Sequence, residues 1–199
     1  MTRSEEAKVI ARAKRGNADA FRVLVEAYKD RLFSFVWRMI RNHHETEDLC
    51  QAAFVKAYES LDSYSTNYAF STWLFTIAYR LCLNSMRKKK PLSGDVDFSR
   101  VGGGDADAAI SLANSEEAKR LRGLIWDAVA QLSPPQKSAI LLFYREGKSC
   151  QEIGVVLGIP AVTVKSHLHR GREKLRSLLS AELVEDWLAV QNLGDSSFA

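Results

Sequence analysis

The chain has 199 residues, 46% of them apolar and 26% charged, with a formal net charge of +4; that is enough apolar material for one large domain or two small ones. No run of about 18 apolar residues occurs, and the N-terminal stretch scatters its charges without an apolar signal core, so a cytoplasmic protein with no membrane insertion is expected. Cys50, Cys82 and Cys150 are odd in number and far apart, which argues against a disulfide framework or a zinc site and fits a reducing compartment.

Helical periodicity dominates and strand signals are scarce, so the expected fold is all-α. Ser4 can cap a first helix running to Arg15, which Gly16-Asn17 stops. Asp19 opens a long second helix, to Arg41, with Phe21, Leu24, Val25, Tyr28, Leu32, Phe35, Val36 and Met39 inward. Asn42-His43-His44 reads as a turn. Two adjacent histidines cannot share one helix face, so these are read as surface residues and no metal is expected.

A third helix, roughly Glu45 to Leu61, turns Leu49, Ala53, Ala57 and Leu61 inward, with Phe54 beside them. Asp48, Gln51, Ala52, Val55 and Glu59 form a second stripe that makes a poor core and suits a docking surface. After a Ser- and Asp-rich loop, Asp62 to Asn67, a fourth helix starts at about Ser71. Phe70, Trp73, Leu74, Ile77, Ala78 and Leu81 form its apolar face. Thr72, Thr76, Tyr79, Arg80, Leu83, Asn84 and Arg87 form the opposite face, and the helix ends in the basic run Arg87–Lys90. Such a face suits unpaired bases and their phosphates; taken alone, it fits an ordinary solvated helix surface equally well.

Charge divides the chain. Residues 1–90 hold 16 Lys/Arg against 10 Asp/Glu, residues 91–115 one Arg against four Asp, and residues 116–199 11 against 10. With Gly102-Gly103-Gly104 and no periodicity, residues 91–115 read as a flexible acidic linker between a domain at 1–90 and a second at 116–180.

The second domain begins at Ser115 with a helix carrying Leu121, Leu124, Ile125, Ala128 and Leu132 inward. Ser133-Pro134 caps the next, which holds Ile140, Leu141, Phe143 and Tyr144 and stops at Gly147. Ser149 and Glu152 form a capping box for a short helix with Ile153, Val156 and Leu157. Gly158 supplies a tight turn, and Pro160 opens a basic helix with Val164, Leu168 and Leu175 inward. Thr163, Lys165, Ser166, His167, His169, Arg170 and Lys174 occupy its other faces. Two short helices around a Gly-containing turn, the second basic, are the pattern of a helix-turn-helix. A tail, 181–199, holds the amphipathic set Leu183, Val184, Trp187 and Leu188. No nucleophile–base set, phosphate loop or metal spacing occurs, so no enzyme activity and no cofactor are expected.

Three segments together resemble a known family. Glu47–Tyr58, Phe70–Ala78, and Leu132-Ser133-Pro134 with Thr163–Leu175 are similar to regions 2.2, 2.3 and 4 of bacterial sigma factors, in that order. The plan of two domains with none between is that of the extracytoplasmic-function group. The resemblance implies that Glu47, Asp48, Gln51 and Val55 dock on the clamp helices of the polymerase β′ subunit. It implies that Tyr64, Tyr68, Phe70, Trp73, Arg80, Asn84, Arg87 and Lys88 hold opened minus-ten DNA. Thr163, Lys165, Ser166, His167, His169 and Arg170 would then lie in the major groove of the minus-thirty-five element, and the Ile140–Tyr144 helix on the β flap. The implied partners are core RNA polymerase, promoter DNA and an anti-sigma factor. Ala52, Arg80 and His167 depart from the family's usual Glu, Asn and Arg. The rival reading is a stand-alone helix-turn-helix regulator with an N-terminal sensing or partner-binding domain.

Overall fold

The computed structural model describes residues 1–89 and 116–179; the expected linker at 91–115 and tail at 181–199 lie outside the described residues. Among the described residues, all regular structure is helical. The chain divides between Gly103 and Gly104 into two compact units.

In the first unit, α1 (Arg3–Lys14), α2 (Ala18–Ile40), α3 (His43–Glu59) and α4 (Phe70–Lys89) are joined by short connections, with a 3-10 turn at Leu61–Ser63. Thr2, not Ser4, caps α1: its hydroxyl accepts from Glu5 N–H at 3.3 Å, and its own N–H donates to the Glu5 carboxylate at 2.8 Å. Thr2 has a glutamate three residues on and Ser4 has not, so only Thr2 completes a capping box. Asn17 caps α2 and Asn42 caps α3, accepting from Ala20 N–H at 2.8 Å and Glu45 N–H at 3.0 Å. Asn42 therefore converts the expected His43-His44 turn into the first turn of α3.

Packing is pairwise around α2: α1 and α3 flank it, and α4 lies against both α2 and α3. Ala53 and Ala57 of α3 are fully buried, as are Leu24, Leu32 and Val36 of α2 and Phe70, Leu74 and Phe75 of α4. Because α4 has two neighbours, its buried arc is wider than one apolar stripe. Thr72 is fully buried and Tyr79 nearly so, although sequence pattern placed both on the outer face. Phe75 meets Phe35 edge-on at 5.1 Å between ring centroids. Ser85 of α4 donates a hydrogen bond to Glu45 of α3.

In the second unit, α5 (Glu116–Ala130), α6 (Pro134–Tyr144), α7 (Cys150–Leu157) and α8 (Ala161–Leu178) enclose a core of Ile125, Val129, Ile140, Leu141, Leu142, Ile153, Val164 and Leu175. Leu124 was expected inside but is half exposed, and Val129 takes its place. The Ser149 capping box forms as read, with Glu152 N–H donating to the Ser149 hydroxyl at 3.2 Å. Glu152 also lies 3.5 Å from the buried ammonium of Lys148. Gly158 ends α7 at φ +70°, a left-handed conformation that favours glycine. Gly154, one turn earlier, lies so close to the following turn that an added Cβ would sit 2.7 Å from the Ile159 carbonyl oxygen. Pro160 is the N-cap of α8, not its first residue.

Two predictions follow from this packing. In an open helix, Gly→Ala gains up to about 1 kcal/mol. For Gly154→Ala the clash outweighs that gain, and a net loss of about 1–3 kcal/mol is expected in urea unfolding of the full chain; a more stable variant would contradict the close approach. The second concerns the cysteines. Burial pushes the Cys50 and Cys82 thiols up to about 12 from 9.0, while Cys150 is half-buried. At pH 8 an alkylating reagent should modify Cys150 in the native protein and reach Cys50 and Cys82 only in denaturant. Since the folded state keeps both buried thiols protonated, their contribution to stability is complete below about pH 9 and is lost as pH rises toward about 12.

Candidate polymerase and nucleic-acid interfaces

Three exposed surfaces carry the residues singled out in the sequence. The first is the outer stripe of α3. Asp48, Gln51 and Val55 are exposed at i, i+3 and i+7, and Tyr58 continues the line at i+10, 45% exposed. Sequence reading placed Tyr58 neither inward nor on this stripe. It does cover core, meeting Phe21 edge-on at 5.0 Å between centroids, while part of the ring stays in solvent. Glu47 is exposed on the same helix, with His43 Nδ1 at 3.4 Å and His44 Nδ1 at 3.9 Å from its carboxylate. The adjacent histidines thus do converge, and the donor atoms of the three residues lie within 4.8 Å of one another. The group is solvent-exposed near the start of α3, where the helix dipole disfavours a cation. A His–Glu contact accounts for the arrangement without a metal.

The second surface is the N-terminal loop and outer face of α4. Tyr64 and Phe70, expected to stack on bases, are instead 7% and 0% exposed. Their rings lie 5.6 Å apart, Trp73 lies 5.4 Å from Tyr64, and Tyr28 lies 5.6 Å from Phe70. Both rings are therefore buried among aromatic neighbours at the start of α4. The Tyr64 hydroxyl donates to the Tyr68 carbonyl at 2.9 Å, and Lys14 of α1 donates to the carbonyls of Tyr64 at 2.8 Å and Asp62 at 3.3 Å. The Lys14 ammonium also lies 5.7 Å from the centroid of the Tyr64 ring. Nothing in the sequence near Lys14 signals this role, since its partners are main-chain atoms about 50 residues away. Tyr68, by contrast, is 42% exposed. Trp73 is half-buried, and Arg80, Asn84, Arg87 and Lys88 are exposed at i, i+4, i+7 and i+8. Four hydrogen-bonding or cationic side chains therefore share one face beyond a rigid aromatic base. Beside Phe70, Tyr28 donates a hydrogen bond to Glu6, and burial, reinforced by that carboxylate, raises the Tyr28 hydroxyl's pKa.

The third surface is α8. Lys165, Ser166, His169 and Arg170 are exposed and, with Val162, line a shallow depression. Thr163 and His167 are only half exposed. The Nδ1 atom of His167 is buried without a hydrogen-bond partner, so this ring is turned partly inward and is less available to DNA than expected. On α6, Ile140, Leu141, Leu142 and Tyr144 are buried, and only Phe143 of the apolar set is half exposed. The helix assigned to the β flap therefore spends most of its apolar residues on its own core. No described helix is long and apolar enough to cross a membrane.

The chain matches the family model of sigma-70 region 2 over residues 24–91 and that of sigma-70 region 4 over residues 122–175. The ECF RNA polymerase sigma factor SigW of Bacillus subtilis is 38% identical over 185 residues, covering 86% of this chain and 95% of that protein. The ECF RNA polymerase sigma-E factor of Escherichia coli is 31% identical over 173 residues, covering 84% and 90%. The solved structure of CnrH in complex with the cytosolic domain of CnrY superposes with a TM-score of 0.65 at 25% identity, covering 87% of this chain and 96% of that one. A likeness of fold extends to the sigma factor RpoE in its complex with the anti-sigma factor NepR from Bartonella quintana, with a TM-score of 0.61 at 24% identity and coverage of 81% and 97%. Both region matches and full-length relatives disfavour a stand-alone regulator. The chain belongs to the ECF sigma factors, non-enzymatic initiation factors that direct bacterial RNA polymerase to promoters.

Proposed function

We propose that the work of a sigma factor is divided among the three surfaces as follows. Asp48, Gln51 and Val55, extended by Tyr58 and flanked by Glu47, dock on the β′ clamp helices of core polymerase. Tyr68, Trp73, Arg80, Asn84, Arg87 and Lys88 hold the opened minus-ten strand, with Tyr64 and Phe70 fixing the loop from below. Lys165, Ser166, His169 and Arg170 read the minus-thirty-five element in the major groove, with Thr163 and His167 at the edge of the contact. The domains run over 1–90 and 116–180, joined by the acidic segment 91–115. Phe143 is the part of α6 open to the β flap. Regulation by an anti-sigma factor is carried over from the Bartonella quintana complex, and action in the cytoplasm follows from the place of the polymerase.

The observation that carries this reading is the single exposed face of α4. A melted promoter offers unstacked bases beside phosphates, and a protein holds them with flat or hydrogen-bonding groups beside cations. Arg80 and Asn84 stand one turn apart and reach base edges, while Arg87 and Lys88 take phosphates. Stacking on an aromatic ring is worth about 1–3 kcal/mol per base, enough to shift a local opening equilibrium about tenfold. Tyr68 is the ring free to supply it.

Run-off transcription tests the assignment. Arg80→Ala and Asn84→Ala should retain core binding and lose activity on duplex promoters, about tenfold in the double variant. A template already open across the minus-ten segment should restore part of the loss. Full activity of the double variant on duplex DNA would reduce this face to a solvated surface. The α3 stripe is tested separately: Asp48→Arg should fold normally yet fail to co-purify with core polymerase. Normal retention would remove the docking role from this stripe.

A further inference from the structure

On α8, Val162 is 70% exposed, more than any other exposed large hydrophobic residue among those described. Folding gives no reason for it. A β-branched residue is a mediocre helix former, and one that remains in water contributes little to the core. Its position is specific. Val162 lies in the first turn of α8, and Lys165, Ser166, His169 and Arg170 follow it at i+3, i+4, i+7 and i+8. All five line the same shallow depression. Ser166 donates its hydroxyl to the Val162 carbonyl at 3.3 Å, which leaves its oxygen free only to accept a hydrogen bond. The leading end of the basic face presents two methyl groups to whatever it meets.

Major-groove edges of base pairs are rows of hydrogen-bond donors and acceptors with one apolar feature, the C5 methyl of thymine. In a helix-turn-helix, the N-terminal residues of the second helix approach base edges most closely. A solvent-exposed valine there has no acceptor to satisfy and no donor to offer. Against cytosine or adenine it would strip water from an amino group without replacing the hydrogen bond. Against thymine it makes an apolar contact at no such cost. From this geometry we infer that Val162 is a specificity residue that selects thymine in the minus-thirty-five element by packing on its C5 methyl. Lys165 and Arg170, one and two turns further along, supply the polar and phosphate contacts around it.

This inference rests on the proposal that α8 reads the minus-thirty-five element, and the test separates the two. Holoenzyme assembled with the full chain selects minus-thirty-five sequences from a randomised promoter library. Each thymine of the selected element is then replaced singly by deoxyuridine, which removes the methyl and leaves the base-pairing edge unchanged. With the wild-type chain, deoxyuridine at one or two positions should weaken promoter binding about fourfold, the share of one buried methyl. With Val162→Ser, thymine and deoxyuridine at those positions should bind alike, and repeated selection should lose its thymine preference there. The exposure of Val162 means this variant retains its fold, and Val162→Ala, which keeps one methyl, should show a smaller deoxyuridine effect than wild type. Equal deoxyuridine effects in wild type and Val162→Ser, or none in wild type, would overturn the inference. If Lys165→Ala and Arg170→Ala also leave the selected element unchanged, the reading role of α8 itself fails; if either alters it, only the thymine contact is lost.

Discussion

The first unit depends on one buried contact, the fully enclosed ring of Phe70 between Tyr28 of α2, Tyr64 of the loop and Trp73 of its own helix. Phe70 is the first residue of α4, so the contact fixes where that helix begins and how it leaves the loop. Tyr28 extends the same contact to α1 through Glu6. Lys14, on α1, secures the other end of the loop by its main-chain carbonyls. The aromatic residues that attract attention as base-stacking groups are thus largely structural. On the proposed assignment they would hold the exposed residues of α4 rigid, since a contact surface gains affinity when its ordering cost has already been met in the free protein.

The second unit is held by a different constraint, the close approach of the short α7 to the turn that follows it. Neither the eight-residue α7 nor the turn after it has enough length to be stable alone. They are fixed by a reciprocal cap at Ser149–Glu152, the left-handed Gly158 and the absence of a side chain at Gly154. Glu152 takes part twice, in the cap and beside the buried Lys148 ammonium, so a single carboxylate joins the local start of α7 to the preceding turn. With that turn set, α8 can spend Val164, Leu168 and Leu175 on the core and leave its basic face in solvent.

Much of this was legible in the sequence because the signals are local. The helices, the two-unit plan, the Ser149 capping box and the turn at Gly158 all follow from residues within a few positions of one another. The exposed stripe Asp48–Gln51–Val55 and the face Arg80–Asn84–Arg87–Lys88 follow from helical spacing alone. The misreadings arise where distant parts of the chain meet. Thr72 and Tyr79 are buried because α4 has two neighbours, which no single-helix pattern encodes. Tyr64 is buried because Lys14 and Phe70 close over it. Asn42 captured the two histidines for α3 because its carbonyl side chain outcompeted the turn. His167 looked like one more polar residue on a basic helix, yet its Nδ1 points into the structure.

The outer face of α4 also has a length. From Arg80 to Lys88 is eight residues, and at 1.5 Å per residue it spans about 12 Å. Stacked DNA rises about 3.4 Å per nucleotide along one strand, and an opened, unstacked strand is longer per nucleotide, so the face spans at most about three nucleotides. On the proposed assignment, α4 is then a ruler as well as a surface. Its last described turn sets how many bases can lie between Arg80 and the cationic end. Inserting or deleting residues in this helix would alter that interval and rotate the face by about 100° for each residue, so length and direction cannot be changed independently.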